Sequence, residues 1–203
     1  MIIEIDPQRI QPRKIAQVTA ALREGGVVAY PTDTSYGLGC DIFSQKALRR
    51  LHQIKAQPES KPFSFICPDL KDLSTYANVT NYAYKTLRRL LPGPYTFVLE
   101  GSRHAPKMVL TKRKTVGIRV PDHPVCLAIV QELGHPIAST TAMDGQGRAL
   151  NTPWEIESEL GHALDLVVDG GPAPGLLSSV IGLIGDEPQI IREGAGDVEE
   201  FRV

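Results

Sequence analysis

Short apolar runs alternate with amphipathic segments along the whole chain, and this alternation limits the fold more than any other feature. Strands are predicted where four or five mostly apolar residues come together, as at 27–30 and 137–140. Helices are predicted where apolar residues recur every three or four positions, as at 45–55. Because most connections are short, the pattern predicts an α/β fold: a twisted mixed sheet of parallel and antiparallel strands with helices on its faces.

The remaining predicted elements fill the chain between these segments. Further helices are expected at 13–24, 69–77, 80–91 and 121–133, and further strands at 2–5, 63–67, 95–99, 116–120, 166–168, 179–184 and 189–192. Thr152 and Glu155 form a capping box that starts another helix. Ser44 suits the N-cap of the helix at 45–55. Tyr84, Leu87 and Leu91 form a helical stripe that is predicted to face the core.

The length predicts a single domain over residues 1–203. Its charge is unevenly distributed along the chain. Residues 1–154 carry 20 Lys and Arg against 12 Asp and Glu, whereas residues 155–203 carry 2 against 11. The basic part suggests an anionic ligand, although solvated helix faces explain it equally well. Three widely spaced cysteines and a start without a signal-peptide pattern favour a reducing, cytoplasmic location.

The densest group of polar side chains follows the strand at 27–30. Three hydroxyls and one carboxylate fall within five residues, and two glycines follow: Thr32, Asp33, Thr34, Tyr36, Gly37 and Gly39. Such groups at a strand end can orient a polar small molecule. A simple Asx or Thr turn is the alternative. The segment is expected to begin as a strand and to end as a glycine-containing loop.

Further polar side chains lie at the ends of predicted elements. Lys55 and Lys61 can hold phosphates, although Lys55 also suits a helix C-terminus. Arg119 lies in an apolar strand, so it must either pair with an internal carboxylate or face a cleft. The same site can include the hydroxyls at 139–141 and 178–179 and the side chain of Arg192. Local hydrogen bonding at strand ends is the alternative explanation for them.

Several common catalytic motifs are absent from the sequence. It contains neither a G-x-x-x-x-G-K-[ST] phosphate loop nor a G-x-G-x-x-G turn after a strand. It also lacks a G-x-S-x-G nucleophile elbow and an H-E-x-x-H pair. A nucleotide site in this chain must therefore be of another kind.

Five ordered motifs resemble those of the YrdC-like family, the threonylcarbamoyl-adenylate (threonylcarbamoyl-AMP) synthases of transfer-RNA modification, over residues 10–195. They are Pro-Thr-Asp-Thr-Ser-Tyr-Gly-Leu-Gly-Cys at 31–40, Leu-Pro-Gly-Pro-Tyr-Thr at 91–96, Val-Gly-Ile-Arg-Val-Pro-Asp-His-Pro at 116–124, Ser-Ser-Val-Ile at 178–181 and Ile-Ile-Arg at 190–192. The resemblance implies an enzyme that joins L-threonine, bicarbonate and ATP with Mg²⁺, releasing pyrophosphate. It also implies a deep basic cleft.

The resemblance assigns roles to individual residues, and none of them is a covalent nucleophile or an assigned metal ligand. Substrate contacts are implied for Thr34, Tyr36, Arg119, Ser139 and Ser178, with Arg119 on the threonine carboxylate. Nucleotide and phosphate contacts are implied for Lys55, Thr115, Thr141 and Arg192, with Lys61 as a supplementary cation.

Two departures from the family pattern resemble its YciO-type branch. The Lys-x-Arg motif reads Lys55-Ala56-Gln57, and the Ser-x-Asn motif reads Thr141-Ala142-Met143. A lost charged contact to phosphate predicts weak or altered synthesis. The alternative is a module that binds double-stranded RNA or transfer RNA without synthase activity, using the basic stretch at 103–114.

Overall fold

The computed structural model describes residues 1–56, 62–106, 114–185 and 187–202. Within these ranges lie eleven strands: β1 Ile2–Glu4, β2 Val28–Tyr30, β3 Gly37–Asp41, β4 Ser64–Ile66, β5 Ala77–Asn78, β6 Tyr95–Gly101, β7 Thr115–Arg119, β8 Ile137–Thr141, β9 Leu166–Asp169, β10 Ser179–Gly182 and β11 Gln189–Arg192. The same ranges hold six α-helices: α1 Pro12–Arg23, α2 Gln45–Ile54, α3 Leu70–Tyr76, α4 Asn81–Leu90, α5 Pro124–Leu133 and α6 Pro153–Leu160. The predicted alternation of strands and helices is confirmed.

All strands belong to one mixed sheet, as the sequence predicts. Its order is β1-β9-β2-β3-β8-β4-β7-β6-β10-β11, with β5 added beside β6. The pairs β1–β9, β2–β9, β4–β7 and β6–β10 are parallel. The pairs β2–β3, β3–β8, β4–β8, β6–β7, β10–β11 and β5–β6 are antiparallel. Residues far apart in the chain therefore meet on neighbouring strands.

Strand β3 corrects the loop expected after Tyr36. Gly37 and Gly39 lie in a strand that pairs with both β2 and β8. Neighbouring side chains explain both glycines. A Cβ added at Gly37 would lie 2.9 Å from the ring of Tyr30, and one added at Gly39 would clash with Ile137 Cγ2 and lie 2.8 Å from the same ring. The glycines thus permit close packing between neighbouring strands. The loop itself is shorter than expected and joins β2 to β3.

Two apolar clusters lie on opposite faces of the sheet. Val28 and Tyr30 join one cluster, with residues of α1 and α5, whereas Ala29 joins the other, with residues of α2. This division follows from the strand geometry, since successive side chains point to opposite faces. The predicted core stripe of α4 is only partly correct: Leu87 and Leu91 are buried, but Tyr84 is 50% exposed.

The helix ends follow their local sequence. Ser44 accepts a hydrogen bond from the Ala47 amide, as predicted for an N-cap. Thr152 and Glu155 form the complete capping box at the start of α6. No helix in the described ranges combines the length and apolar content needed to cross a lipid bilayer.

Candidate active site

A cavity of about 240 Å³ opens on the sheet face that carries Tyr30, and the residues that line it come from strands and loops. Alternate residues of β4, β6 and β7 point into it, because every second side chain of a strand shares a face. Eight of the ten predicted site residues line this cavity: Thr34, Tyr36, Thr115, Arg119, Ser139, Thr141, Ser178 and Arg192. Residues scattered over most of the chain thus form one polar cavity.

Arg119, the last residue of β7, is held from one side by the loop that joins β2 to β3. Its Nη2 atom pairs with Asp33 Oδ1 and donates to Thr34 Oγ1 at 2.8 Å. The two charged side chains are each only 11% exposed. Arg119 Nε is buried and has no hydrogen-bond partner among the described residues. Both readings of Arg119 from the sequence therefore apply: it forms an internal ion pair and it faces a cleft.

Asp33, the carboxylate partner of Arg119, was not among the predicted site residues. It lies between the two threonines of the motif, and its Oδ2 atom is buried without a partner in the described part of the chain. An acidic residue in a polar loop and an arginine in an apolar strand are the signals that predict such a pair. Nothing local in the sequence indicates that these two residues meet.

The loop from Thr32 to Tyr36 also contains the Thr turn that the sequence offered as an alternative. Thr32 Oγ1 donates to the Ser35 carbonyl at 2.5 Å and accepts from the Thr34 amide at 3.2 Å. Ser35 Oγ donates to the Leu176 carbonyl, and the Gly175 amide donates to the Thr34 carbonyl. These bonds fix the loop from within and from the segment that follows β9, so Thr34 is presented to the cavity on a constrained backbone.

Tyr36 lines the cavity, but its hydroxyl is bonded to the main chain. The hydroxyl donates to the Gly171 carbonyl at 2.7 Å, and burial raises its pKa. A contact of this hydroxyl with substrate oxygens remains a prediction, and it would have to share or replace that bond. Tyr30, which the sequence did not single out, donates its hydroxyl to Ser139 Oγ at 2.5 Å.

Arg192 and Ser178 form the opposite wall of the cavity. Arg192 donates to the Ser178 carbonyl from Nε at 3.0 Å and from Nη2 at 2.7 Å. Ser178 Oγ lies 2.9 Å from Thr96 Oγ1. Burial lowers the pKa of Arg192, and the positive charge of Arg119 acts in the same direction. Arg192 has no acidic partner among the ion pairs of the described residues.

The structure describes only one of the two predicted phosphate-binding lysines. Lys55 follows α2 and donates from Nζ to the Thr141 carbonyl at 3.0 Å, which brings it beside a cavity residue. Lys61 and Gln57 lie outside the described residues. The basic character of the cleft therefore stays a prediction.

The described residues do not fit a metal ion held by the protein. They contain no cluster of three or more His, Cys, Asp or Glu side chains that could coordinate one. Mg²⁺ prefers carboxylate and phosphate oxygens, and Asp33 already pairs with Arg119. Mg²⁺ therefore stays a prediction.

Comparison with known proteins decides the family. The Sua5/YciO/YrdC family model, described as telomere recombination, matches residues 20–194. The chain belongs to the Sua5/YciO/YrdC family. It is 40% identical to the uncharacterized protein YciO of Escherichia coli over 97% of both chains. It is also 33% identical to the threonylcarbamoyl-AMP synthase of Halorhodospira halophila, over 93% of this chain and 94% of that one.

Solved structures of the Sua5/YciO/YrdC family share the fold described above. The crystal structure of Escherichia coli YciO superposes with a TM-score of 0.94 at 39% identity, covering 99% of this chain and 98% of that one. Sua5 of P. abyssi, solved in complex with L-threonine, superposes with a TM-score of 0.92 at 29% identity. That match covers 98% of this chain but only 59% of Sua5. The predicted family resemblance is thus confirmed.

Proposed function

We propose that this chain is a threonylcarbamoyl-adenylate synthase, which joins L-threonine, bicarbonate and ATP and releases pyrophosphate. The proposal rests above all on the setting of Arg119 in a cavity lined by hydroxyls. One nitrogen of the guanidinium is fixed by Asp33 and Thr34, while Nε has no partner in the described chain. A planar donor group held in this way suits a carboxylate ligand.

The hydroxyls around Arg119 suit the oxygens of a carbamate. The threonine amine attacks the carbon of bicarbonate, and loss of water gives the carbamate. A carbamate oxygen then attacks the α-phosphorus of ATP and pyrophosphate leaves. Thr34, Ser139 and Ser178 would orient the threonyl and carbamoyl oxygens, while Lys55, Thr115, Thr141 and Arg192 would hold the nucleotide and its phosphates.

Catalysis in this scheme comes from positioning and from stabilisation of negative charge at the α-phosphate. It needs no covalent nucleophile. The three cysteines are buried free thiols that do not line the cavity. Burial raises the pKa of Cys40 and of Cys126 to about 12, so both remain protonated at neutral pH. The product would serve the threonylcarbamoyl modification of transfer RNA.

The two departures from the family motifs affect the phosphate end of this scheme. Gln57 replaces an arginine and Met143 replaces an asparagine, so one cation and one amide are missing. Loss of a charged contact to a phosphate is worth about two decades in rate if it acts in the transition state. We therefore expect turnover to be slow in the natural sequence.

Pyrophosphate release tests the proposal directly. It would be measured with ATP, Mg²⁺ and bicarbonate, with and without L-threonine, for the wild type and for Gln57→Arg/Met143→Asn. Threonine-dependent release by the wild type supports the proposal, and faster release by the double variant supports the stated effect of the departures. Release by the double variant alone would mean that the natural chain uses the same scaffold for another substrate.

Absence of release from both proteins would favour the RNA-binding alternative instead. That alternative depends on the basic stretch at 103–114, of which residues 107–113 lie outside the described ranges. Its signature is an affinity for double-stranded RNA that falls steeply with added salt. Lys112→Ala and Arg113→Ala should then weaken RNA binding.

A further inference from the structure

Tyr30 lies directly beneath the cavity without lining it. The side chain is fully buried, and its ring packs against Gly37 and Gly39 of the neighbouring strand. Its hydroxyl lies 2.5 Å from Ser139 Oγ, two strands away in the sheet. Ser139 does line the cavity, so a buried hydroxyl and a cavity hydroxyl are joined by one hydrogen bond.

The direction of this hydrogen bond follows from the partners that each hydroxyl has. Within the described chain, the only hydrogen bond of the Tyr30 hydroxyl is the one to Ser139. If Ser139 donated, the proton of Tyr30 would be left without an acceptor in the core, which is unfavourable. Tyr30 must therefore donate, and the proton of Ser139 is left for an acceptor in the cavity.

We propose that Tyr30 is a positioning residue, which fixes Ser139 as a hydrogen-bond donor to an oxygen of the bound threonyl or carbamoyl group. The proposal rests on the proposed function, because it takes threonine as the ligand at Ser139. Tyr30 itself touches no ligand and acts only through Ser139. Burial raises the pKa of Tyr30, so its hydroxyl keeps the proton at every working pH.

A double-mutant cycle on the affinity for L-threonine separates this role from a structural one. Tyr30→Phe removes only the hydroxyl, and Ser139→Ala removes its partner. We expect Tyr30→Phe to weaken L-threonine binding about fivefold, in the range of one neutral hydrogen bond. Ser139→Ala should weaken it at least as much. The double variant should bind as Ser139→Ala does, within about twofold, because Tyr30 acts only through Ser139.

A matched control comes from Tyr76, a second buried tyrosine that does not line the cavity. Tyr76→Phe should leave the Kd for L-threonine unchanged. The double variant also guards against misfolding, since it leaves no orphaned hydroxyl at this position. Its comparison with Ser139→Ala tests the proposal even if Tyr30→Phe alone fails to fold.

The outcomes distinguish this proposal from the proposed function. Effects of Tyr30→Phe and Ser139→Ala that multiply in the double variant would overturn the positioning role while leaving threonine as the ligand. An effect of Tyr76→Phe as large as that of Tyr30→Phe would also overturn it. If the wild type binds no L-threonine, the proposed function fails and the positioning role fails with it.

Discussion

Two arginines enter the same cavity from opposite walls, and the protein holds them in different ways. Arg119 ends β7 inside the sheet and is paired with the buried carboxylate of Asp33. Arg192 ends β11 at the sheet edge and donates to the carbonyl and hydroxyl of Ser178. One positive charge is compensated within the protein, whereas the other has no acidic partner in the described ranges.

The difference separates the two tasks that a cationic side chain can perform. An arginine that already has a carboxylate partner contributes little net charge, so it acts mainly through fixed geometry. An arginine without one retains its attraction for anions, and no acidic side chain among the described residues pairs with Arg192. We therefore expect Arg119 to select the shape of its ligand, and Arg192 to favour negative charge in general.

The largest effect should come from Arg119→Ala. We expect L-threonine affinity to fall about 100-fold or more, because the fixed, buried hydrogen-bond donors that hold the threonine carboxylate are lost. Stability to urea should also fall by about 3–5 kcal/mol, since Asp33 is left buried and unpaired. Removing both charges in Asp33→Asn/Arg119→Met should restore most of the stability but none of the binding. Recovery of binding in that double variant would refute the assigned role of Arg119.

An intermediate effect is expected from Arg192→Ala. ATP affinity should fall about tenfold, in line with one charge-assisted contact to phosphate, and L-threonine affinity should stay within about twofold. Titrations at several salt concentrations sharpen the comparison, because ATP binding by the wild type should weaken with salt more steeply than binding by the variant. Equal salt dependence in the two proteins would contradict the view that Arg192 acts through its charge.

The smallest effect is expected at a third arginine, Arg148, which lies on the surface and does not line the cavity. Its ion pair shows how little an exposed charge contributes to stability. Arg148, 59% exposed, contacts Glu155 at 2.9 Å. That contact, the hydrogen bond from the Asn151 amide and the capping bonds at Thr152 lower the pKa of Glu155 to about 2. Because the folded state favours the carboxylate, its stabilisation is present above the unfolded pKa of about 4.3 and is lost as pH falls towards 2.

Glu155→Gln measures how much the contact with Arg148 and the cap of α6 stabilise the fold. We expect it to reduce the free energy of unfolding by about 0.5–1 kcal/mol at pH 6, as for a partly exposed cap and ion pair. The difference from the wild type should shrink between about pH 4.5 and pH 2, because in this range the unfolded carboxyl takes up a proton before the native one does. A difference that grows as the pH falls would show that the sign of the pKa shift is wrong.

Local patterns predicted the elements well but did not predict which residues meet. Ser44, Thr152 and Glu155 cap their helices as the sequence indicates, because capping depends on residues a few positions apart. The strand at Gly37–Asp41 was missed, since glycine normally weakens a strand, and its glycines are explained by the close approach of Tyr30 and Ile137 from neighbouring strands.

The same contrast between local patterns and long-range contacts holds for the candidate site. Eight of the ten predicted site residues line the cavity, because the family resemblance marks them. The partners that hold them were not found, because Asp33 and Arg119 are 86 positions apart and Tyr30 and Ser139 are 109 apart. Tyr84 is an error of the opposite kind. The local helical pattern predicts that it is buried, but it faces solvent.

The strand order links ligand binding to the integrity of the sheet as a whole. The cavity wall runs from β3 through β8, β4, β7 and β6 to β10 and β11, and a ligand that reaches both arginines spans the four neighbouring strands β7, β6, β10 and β11. Ligand present at 100 times its Kd adds about 2.7 kcal/mol to the stability of the state that binds it. Fraying of β11 would release Arg192 without disturbing Arg119, so a bound nucleotide would hold the sheet edge closed. Amide hydrogen exchange at β11 should therefore slow with ATP and respond little to threonine alone.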